Sequence, residues 1–192
     1  DLLNMINRVR EVTGKPVGFK MVVGQTQFFH DLFEQIHQRG IASAPDFITL
    51  DSSDGGTGAA PQPLMDYVGM PLSESLPLVV DLLHEYGLRE RIRVVASGKM
   101  ITPGKAAWAL AVGADFITSA RGFMFSLGCI QALQCNKNTC PTGITTHNEK
   151  LQRGLVPENK AERVANYATG VVYGVGIVAH SCGVTNPRAL NR

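Results

Sequence analysis

Apolar positions along this chain fall into two alternating patterns: short continuous runs bounded by turn residues, and longer stretches with a helical period. Leu2, Leu3, Met5, Ile6, Val9 and Val12 recur at near-helical spacing and stop at Gly14, which predicts a helix with a left-handed end. Pro16 to Val23 is an apolar run of the kind that forms a strand buried on both faces, interrupted by Lys20. Thr26 is placed to cap a second helix, with Phe29, Leu32, Phe33 and Ile36 on its apolar face and Gly40 closing it. Pro45 to Asp51 predicts the second strand, which runs into a polar glycine loop. Leu76, Val79, Val80 and Leu83 mark a helix ending near Gly87, and Ile92 to Ala96 is the third strand. Thr102 then caps an Ala-rich helix that has Pro103 at its first position and runs through Trp108 to Val112. Asp115 to Thr118 is the fourth strand, followed by a short helix, a cysteine-bearing loop and a long helix from about Glu158 to His180.

Buried strands that alternate with helices imply parallel βαβ units with right-handed crossovers. Four strands do not close a barrel, so two α/β architectures fit: a small open sheet, or the second half of a TIM-type (β/α)8 barrel whose first four units lie upstream. The leading helix, which would pack outside strand four of such a barrel, favours the second. Residues 1–145 are then the half-barrel, and residues 146–192 a C-terminal helical extension of the same domain. Buried-type strands would leave two apolar edges, so the segment alone is expected to pair into a homodimer around a pseudo-barrel or to be poorly soluble.

The composition, 44% hydrophobic and 18% charged over 192 residues, excludes disorder and collagen-like repeats. A net charge of +2 with no clustered Lys/Arg run disfavours nucleic acid as a partner. The chain opens as Asp1-Leu2-Leu3-Asn4 with no initiator Met and no signal-peptide pattern, so a cytoplasmic segment of a longer protein is expected. Tyr167 to Gly183 approaches the length of a membrane span, but it contains His180 and Ser181 and follows a charged helical turn, which reads as a soluble helix.

In either architecture ligands bind at the carboxyl ends of the strands. There the chain carries Asp51-Ser52-Ser53-Asp54-Gly55-Gly56-Thr57-Gly58 after strand two, Ser97-Gly98-Lys99 after strand three and Ala120-Arg121-Gly122 after strand four. Adjacent βα loops of this kind can clamp a phosphate; the alternative is that the glycines simply make tight turns. Lys20 would be costly to bury unpaired in a central apolar strand, so it is expected to face the barrel mouth, toward an anion or an electron-rich ring, unless it snorkels at the strand end. Cys129, Cys135 and Cys140 form a C-x5-C-x4-C pattern ending in Cys-Pro. That spacing argues against structural zinc, and without a secretion signal disulfides are disfavoured. Thiolate ligation of iron remains, with three cysteines suggesting a cluster of three thiolate-ligated irons, and Cys182 is expected to be a buried free thiol. His30, His37, His84, His147 and His180 form no metal-like pair, His30 and His37 reading as surface residues, and no nucleophilic triad can be assembled. A cofactor is therefore expected to carry the chemistry.

Lys20, the Asp54-Gly55-Gly56-Thr57-Gly58-Ala59-Ala60-Pro61 loop, Ser97-Gly98 and the stretch from Gly128-Cys129 to Asn138-Thr139-Cys140-Pro141-Thr142-Gly143 closely resemble the FMN-binding domain of glutamate synthase over nearly the whole chain. The resemblance implies the carboxyl-terminal half of a flavin barrel, with FMN and a [3Fe-4S] cluster ligated by Cys129, Cys135 and Cys140. It implies an oxidoreductase acting on CH-NH2 donors, which reductively aminates 2-oxoglutarate to L-glutamate with electrons from NADPH, through an NADPH-oxidising subunit, or from an electron-donor protein. Lys20 would face the flavin or the substrate carboxylate. Asp54, Gly55, Gly56 and Thr57 would line the flavin side, and Ser97, Gly98, Arg121 and Gly122 would hold the FMN phosphate. Ser97-Gly98-Lys99-Met100 stands where the family often has Asp-Gly-Gly, so Lys99 is a further candidate phosphate contact. Neither the amidotransferase nor the β-helix domain of the large glutamate synthases is present in this segment, and the tail from Glu158 resembles shorter stand-alone relatives. The nitrogen donor therefore stays open between ammonia, a partner glutaminase and an amine, as in relatives that make N-methylglutamate. Two readings from other classes are an electron-transfer or assembly module that keeps the cofactor sites without turnover, and a zinc-stabilised binding domain.

Overall fold

A computed structural model describes residues 1–53 and 62–191. Helix α1 (Leu2–Thr13) precedes a repeating strand and helix pattern: β1 (Gly18–Val22), α2 (Gln27–Arg39), β2 (Phe47–Asp51), α3 (Gln62–Tyr67), α4 (Leu72–Glu85), β3 (Arg93–Ser97), α5 (Pro103–Val112) and β4 (Phe116–Thr118). Short helices α6 (Arg121–Ser126) and α7 (Glu149–Gln152) bracket the cysteine loop, and the long α8 (Pro157–Ser181) follows. The described strands form one parallel sheet in the order β1-β2-β3-β4. The architecture is α/β, a partial barrel in which each strand is followed by helical crossover structure.

Side chains alternate across a strand, and here the alternation separates two unlike faces. Phe19, Met21, Ile48, Leu50, Val94, Ala96 and Ile117 pack against the helices, where Phe29, Phe33, Ile36, Leu76, Val79 and Leu83 complete the core. The other face carries Lys20, Val22, Thr49, Asp51, Val95, Ser97, Phe116 and Thr118 and is only partly covered. The expectation of strands buried on both faces thus fails at the two edges: Val22 is 44% and Phe116 52% exposed. Lys20 accordingly lies on an edge strand rather than a central one.

The amino-terminal end of the sheet is held by two aspartates. Asp46, just before β2, accepts from the Val17 amide (2.8 Å) and pairs with Arg10 (2.9 Å) and Arg91 (3.0 Å). Asp115, just before β4, accepts from the Val94 amide (2.8 Å) and pairs with Arg89 (2.9 Å) and Arg93 (3.2 Å). Helix α1 ends, as its sequence predicts, on Gly14 with φ 62°. Thr102 caps α5 by accepting from the Lys105 amide, but Thr26 makes no capping bond, because its own backbone is already helical (φ −84°, ψ −26°).

Helix α8 packs along α5 and α6, with Val175 buried beside Ala106 and Ala107 and Ala179 also buried. Gly174 sits against the Pro103 ring with no room for a Cβ, which brings the α8 backbone close to the start of α5. No described helix is long and apolar enough to cross a membrane. Cys182 follows the last turn of α8 and is exposed rather than buried, because the packing of α8 ends at Ala179. His30 and His37 are tied to Tyr86, through its hydroxyl (2.9 Å) and its carbonyl (2.9 Å) respectively, so they join α2 to the end of α4.

Candidate functional site

The carboxyl ends of the strands open into a cleft of about 390 Å3, within the size range of small-molecule and cofactor sites. Lys20, Asp51, Ser97, Gly98, Lys99 and Arg121 line it together with Met124, Cys129, Gln131 and Cys135. Residues scattered over more than a hundred positions of sequence are thus gathered at one place, because each strand delivers its following loop to the same end of the sheet. Asp54, Gly55, Gly56 and Thr57 lie outside the described residues.

Lys20 and Asp51 occupy the open face of neighbouring strands, where Lys20 Nζ lies 2.8 Å from Asp51 Oδ2. The other carboxylate oxygen, Oδ1, accepts from the Ser52 amide at 3.1 Å, so the acid is fixed from its own loop. The Ser52 amide also reaches the Ser97 carbonyl (3.1 Å), and the Ser52 hydroxyl accepts from the Leu72 amide (3.1 Å). This lattice joins the ends of β2 and β3 to the start of α4. Asp51 was not singled out from the sequence; a residue whose role depends on cross-strand pairing is visible only once the register is known.

Gly98 and Lys99 both take left-handed backbone conformations, φ 122° and 46°. A Cβ at Gly98 would lie 2.8 Å from the Ser52 nitrogen and closer still to its side chain, so glycine lets the two loops touch. After β4, Gly122 is buried under Tyr167, whose hydroxyl occupies the space a Cβ would need. That hydroxyl donates to the Ile101 carbonyl at 2.7 Å, and the Tyr167 ring meets Phe123 edge-on at 5.0 Å. Helix α8 thereby holds the loops after β3 and β4 in place. The predicted clamp residues divide accordingly: Ser97, Gly98, Lys99 and Arg121 line the cleft, while Gly122 is a packing position beneath it.

The cysteine loop folds over the same end. Cys129 and Cys135 line the cleft, while Cys140 lies further along the loop and is partly buried. Gln131, Leu133 and Asn138 all have positive φ (56°, 54° and 59°), an arrangement that costs roughly 1 kcal/mol or more per residue and is typical of functional loops. Asn138 is held by the Thr146 hydroxyl, which donates to its carbonyl (2.7 Å), and its side-chain oxygen accepts from the His147 amide (2.6 Å). The Cys140 sulfur lies 3.3 Å from the Thr142 hydroxyl. Hydrogen bonding from Thr142 outweighs burial and lowers the Cys140 thiol to about 6. All four cysteines are free thiols, and among the described residues no three His, Cys, Asp or Glu side chains converge on a single metal-ion position.

Comparison with known proteins places this geometry. The family described as a conserved region in glutamate synthase matches residues 1–185. The chain belongs to that family. It is 47% identical over 187 residues to the glutamate synthase large subunit-like protein YerD of Bacillus subtilis, covering 97% of this chain and 35% of that protein. It is 33% identical over 168 residues to an archaeal-type glutamate synthase [NADPH] of Thermotoga maritima, covering 86% of this chain and 32% of the relative. The chain therefore spans about a third of the length of these relatives. Among solved structures, a mutant flavocytochrome b2 with benzoylformate superposes with a TM-score of 0.59 at 15% identity, over 98% of this chain and 36% of that one. A second mutant of the same protein, with pyruvate bound, gives 0.58 over the same shares, also at 15% identity. At that identity the likeness concerns the fold alone, and the fold it shares with this chain is part of a (β/α) barrel.

Proposed function

We propose that this chain is the second half of the catalytic barrel of an FMN and iron-sulfur oxidoreductase of glutamate synthase type, which reductively aminates 2-oxoglutarate to L-glutamate. The observation that carries the reading is the single cleft shared by Lys20, the Ser97-Gly98-Lys99 turn, Arg121 and two of the three loop cysteines, in a chain of the glutamate synthase family.

The residues present fit a flavin mononucleotide. Lys99 and Arg121 bring positive charge to the phosphate position, and the close approach at Gly98 leaves backbone beside it. Lys20, on the same face but at the opposite edge strand, suits a ring that becomes anionic on reduction or a substrate carboxylate. Asp54 to Thr57 would complete the flavin side. Bound FMN would supply a hydride to the carbon of 2-iminoglutarate, formed from 2-oxoglutarate and ammonia with loss of water. This chain's part is to hold the keto acid by its carboxylates, fix the ring and limit access of water to the cleft.

The cysteine loop fits a cluster by donor chemistry rather than by convergence on one ion. Cys140, lowered to about 6, is largely thiolate at neutral pH, as an iron ligand must be. Cys129, Cys135 and Cys140 would hold a [3Fe-4S] cluster, whose chemistry is to pass single electrons toward the flavin. An electron-donor protein or an NADPH-oxidising subunit would feed it. The upstream half of the barrel would cover the open face of the sheet.

The test is single turnover by the full-length protein. Reduced anaerobically and mixed with 2-oxoglutarate and ammonium, it is expected to form one L-glutamate per flavin as the flavin reoxidises. Reoxidation unchanged by 2-oxoglutarate and any nitrogen donor would instead identify an electron-transfer module.

A further inference from the structure

We infer that Asp51 is the specificity-determining residue that recognises the substrate's nitrogen, giving the α-imino and α-amino acids a contact that the keto acid bound in the same cleft does not make. The inference rests on the functional reading above and adds to it the side chain that distinguishes the nitrogen-bearing species. Among the described residues lining the cleft, Asp51 is the only carboxylate, set against three cations, Lys20, Lys99 and Arg121. Cations account for carboxylates and a phosphate; they repel an ammonium or iminium group, so a site that handles one needs an acid.

The geometry of Asp51 suits that task better than a surface ion pair would. The side chain is 18% exposed, whereas that of its partner Lys20 is 60% exposed, so the acid is the enclosed member of the pair and the lysine the solvent-facing one. The Ser52 amide holds Oδ1, and Oδ2 faces Lys20 at the cleft. A ligand with a carboxylate beside a cationic nitrogen carries the same two charges as this pair in reverse. Laid against it, the ligand carboxylate meets Lys20 and its nitrogen donates to Asp51. A keto acid finds Lys20 but has no proton to donate to Asp51, so it binds without that hydrogen bond. Hydrogen bonds to a charged group contribute enough for the loss of one to lower affinity about tenfold.

The experiment compares L-glutamate and 2-oxoglutarate binding to the full-length, FMN-loaded protein, read by flavin difference spectra and calorimetry, in wild type and in Asp51→Asn. The nearly isosteric change is expected to weaken L-glutamate about tenfold and to leave 2-oxoglutarate within twofold of wild type, or tighter. Asp51→Glu, which retains the charge, is expected to recover part of the L-glutamate affinity. Equal loss for both ligands would overturn the inference and reduce Asp51 to a support for Lys20, and unchanged affinity for both would also overturn it. A wild-type protein that takes up no FMN would overturn the functional reading and this inference with it, whereas FMN-loaded variants without the selective loss overturn this inference alone. Circular dichroism and flavin content of both variants separate misfolding from loss of recognition.

Discussion

At the scale of single residues, the cleft depends on side chains whose properties are set by one or two neighbours. Cys140 is the clearest case: the Thr142 hydroxyl stabilises its thiolate and lowers it to about 6, against an ordinary thiol value near 8.5. Alkylation of the metal-free protein by iodoacetamide should therefore show Cys140 reacting with a midpoint near pH 6. Thr142→Val should move that midpoint upward, by about one unit if the hydroxyl contributes the equivalent of one hydrogen bond. Peptide mass mapping across pH checks both, and a midpoint unmoved by Thr142→Val would remove the hydroxyl as the cause. What the sequence disclosed at this scale was residue type and spacing. The three cysteines and Lys20 stand out because their chemistry is unusual for their surroundings. Asp51 does not, because an acid at a strand end is ordinary until the register places it beside Lys20. Thr26 misleads for a similar reason: the right residue type stands at the helix boundary, but its backbone is not in the conformation that turns the hydroxyl onto the first amides.

At the scale of elements, the parallel strands and their helices are legible from apolar runs and periodicity, since burial against helices selects both. Strand ends shift by a residue or two, and the short α3 carries too few apolar positions to announce itself. The sequence does not show how the strand entrances are clasped. Asp46 joins α1, the start of β1 and the segment before β3 through Arg10, the Val17 amide and Arg91. Burial raises its carboxyl, but the Val17 hydrogen bond and the two guanidinium groups outweigh burial and hold it below the usual carboxylate range. A lowered folded-state value means that the stabilisation is fully present above the unfolded value of about 4 and is lost as pH falls through the folded one. Asp46→Asn is accordingly expected to cost about 1–3 kcal/mol at pH 7. In urea unfolding followed from pH 7 to pH 2, the wild type and the variant should converge at the acid end. A constant difference across that range would show that the charge of Asp46 is not what stabilises the clasp.

At the scale of the whole molecule, the division of labour is that of a (β/α) barrel: ion-pair clasps at the amino ends of the strands, the cleft at the carboxyl ends. Apolar surface is left uncovered at both flanks. Met5, Val9 and Val12 are exposed on α1, Val172, Tyr173 and Ile177 on α8, and Val22 and Phe116 on the open face of the sheet. Exposed surface of this kind calls for a partner, the role proposed above for the upstream half of the barrel. The 192-residue segment alone is expected to self-associate in sedimentation velocity, and an ideal monomer at high concentration would show that these faces need no cover. The cleft and the cysteine loop are proposed to serve two redox cofactors in one protein. The visible absorption spectrum of the full-length protein, purified without oxygen and recorded before and after dithionite, tests it most directly. Flavin bands above a broad sulfur-to-iron shoulder, both bleached by the reductant, are the predicted result. A colourless protein would rule out both cofactors and leave a barrel whose converging lysines, arginine and cysteines serve some other ligand.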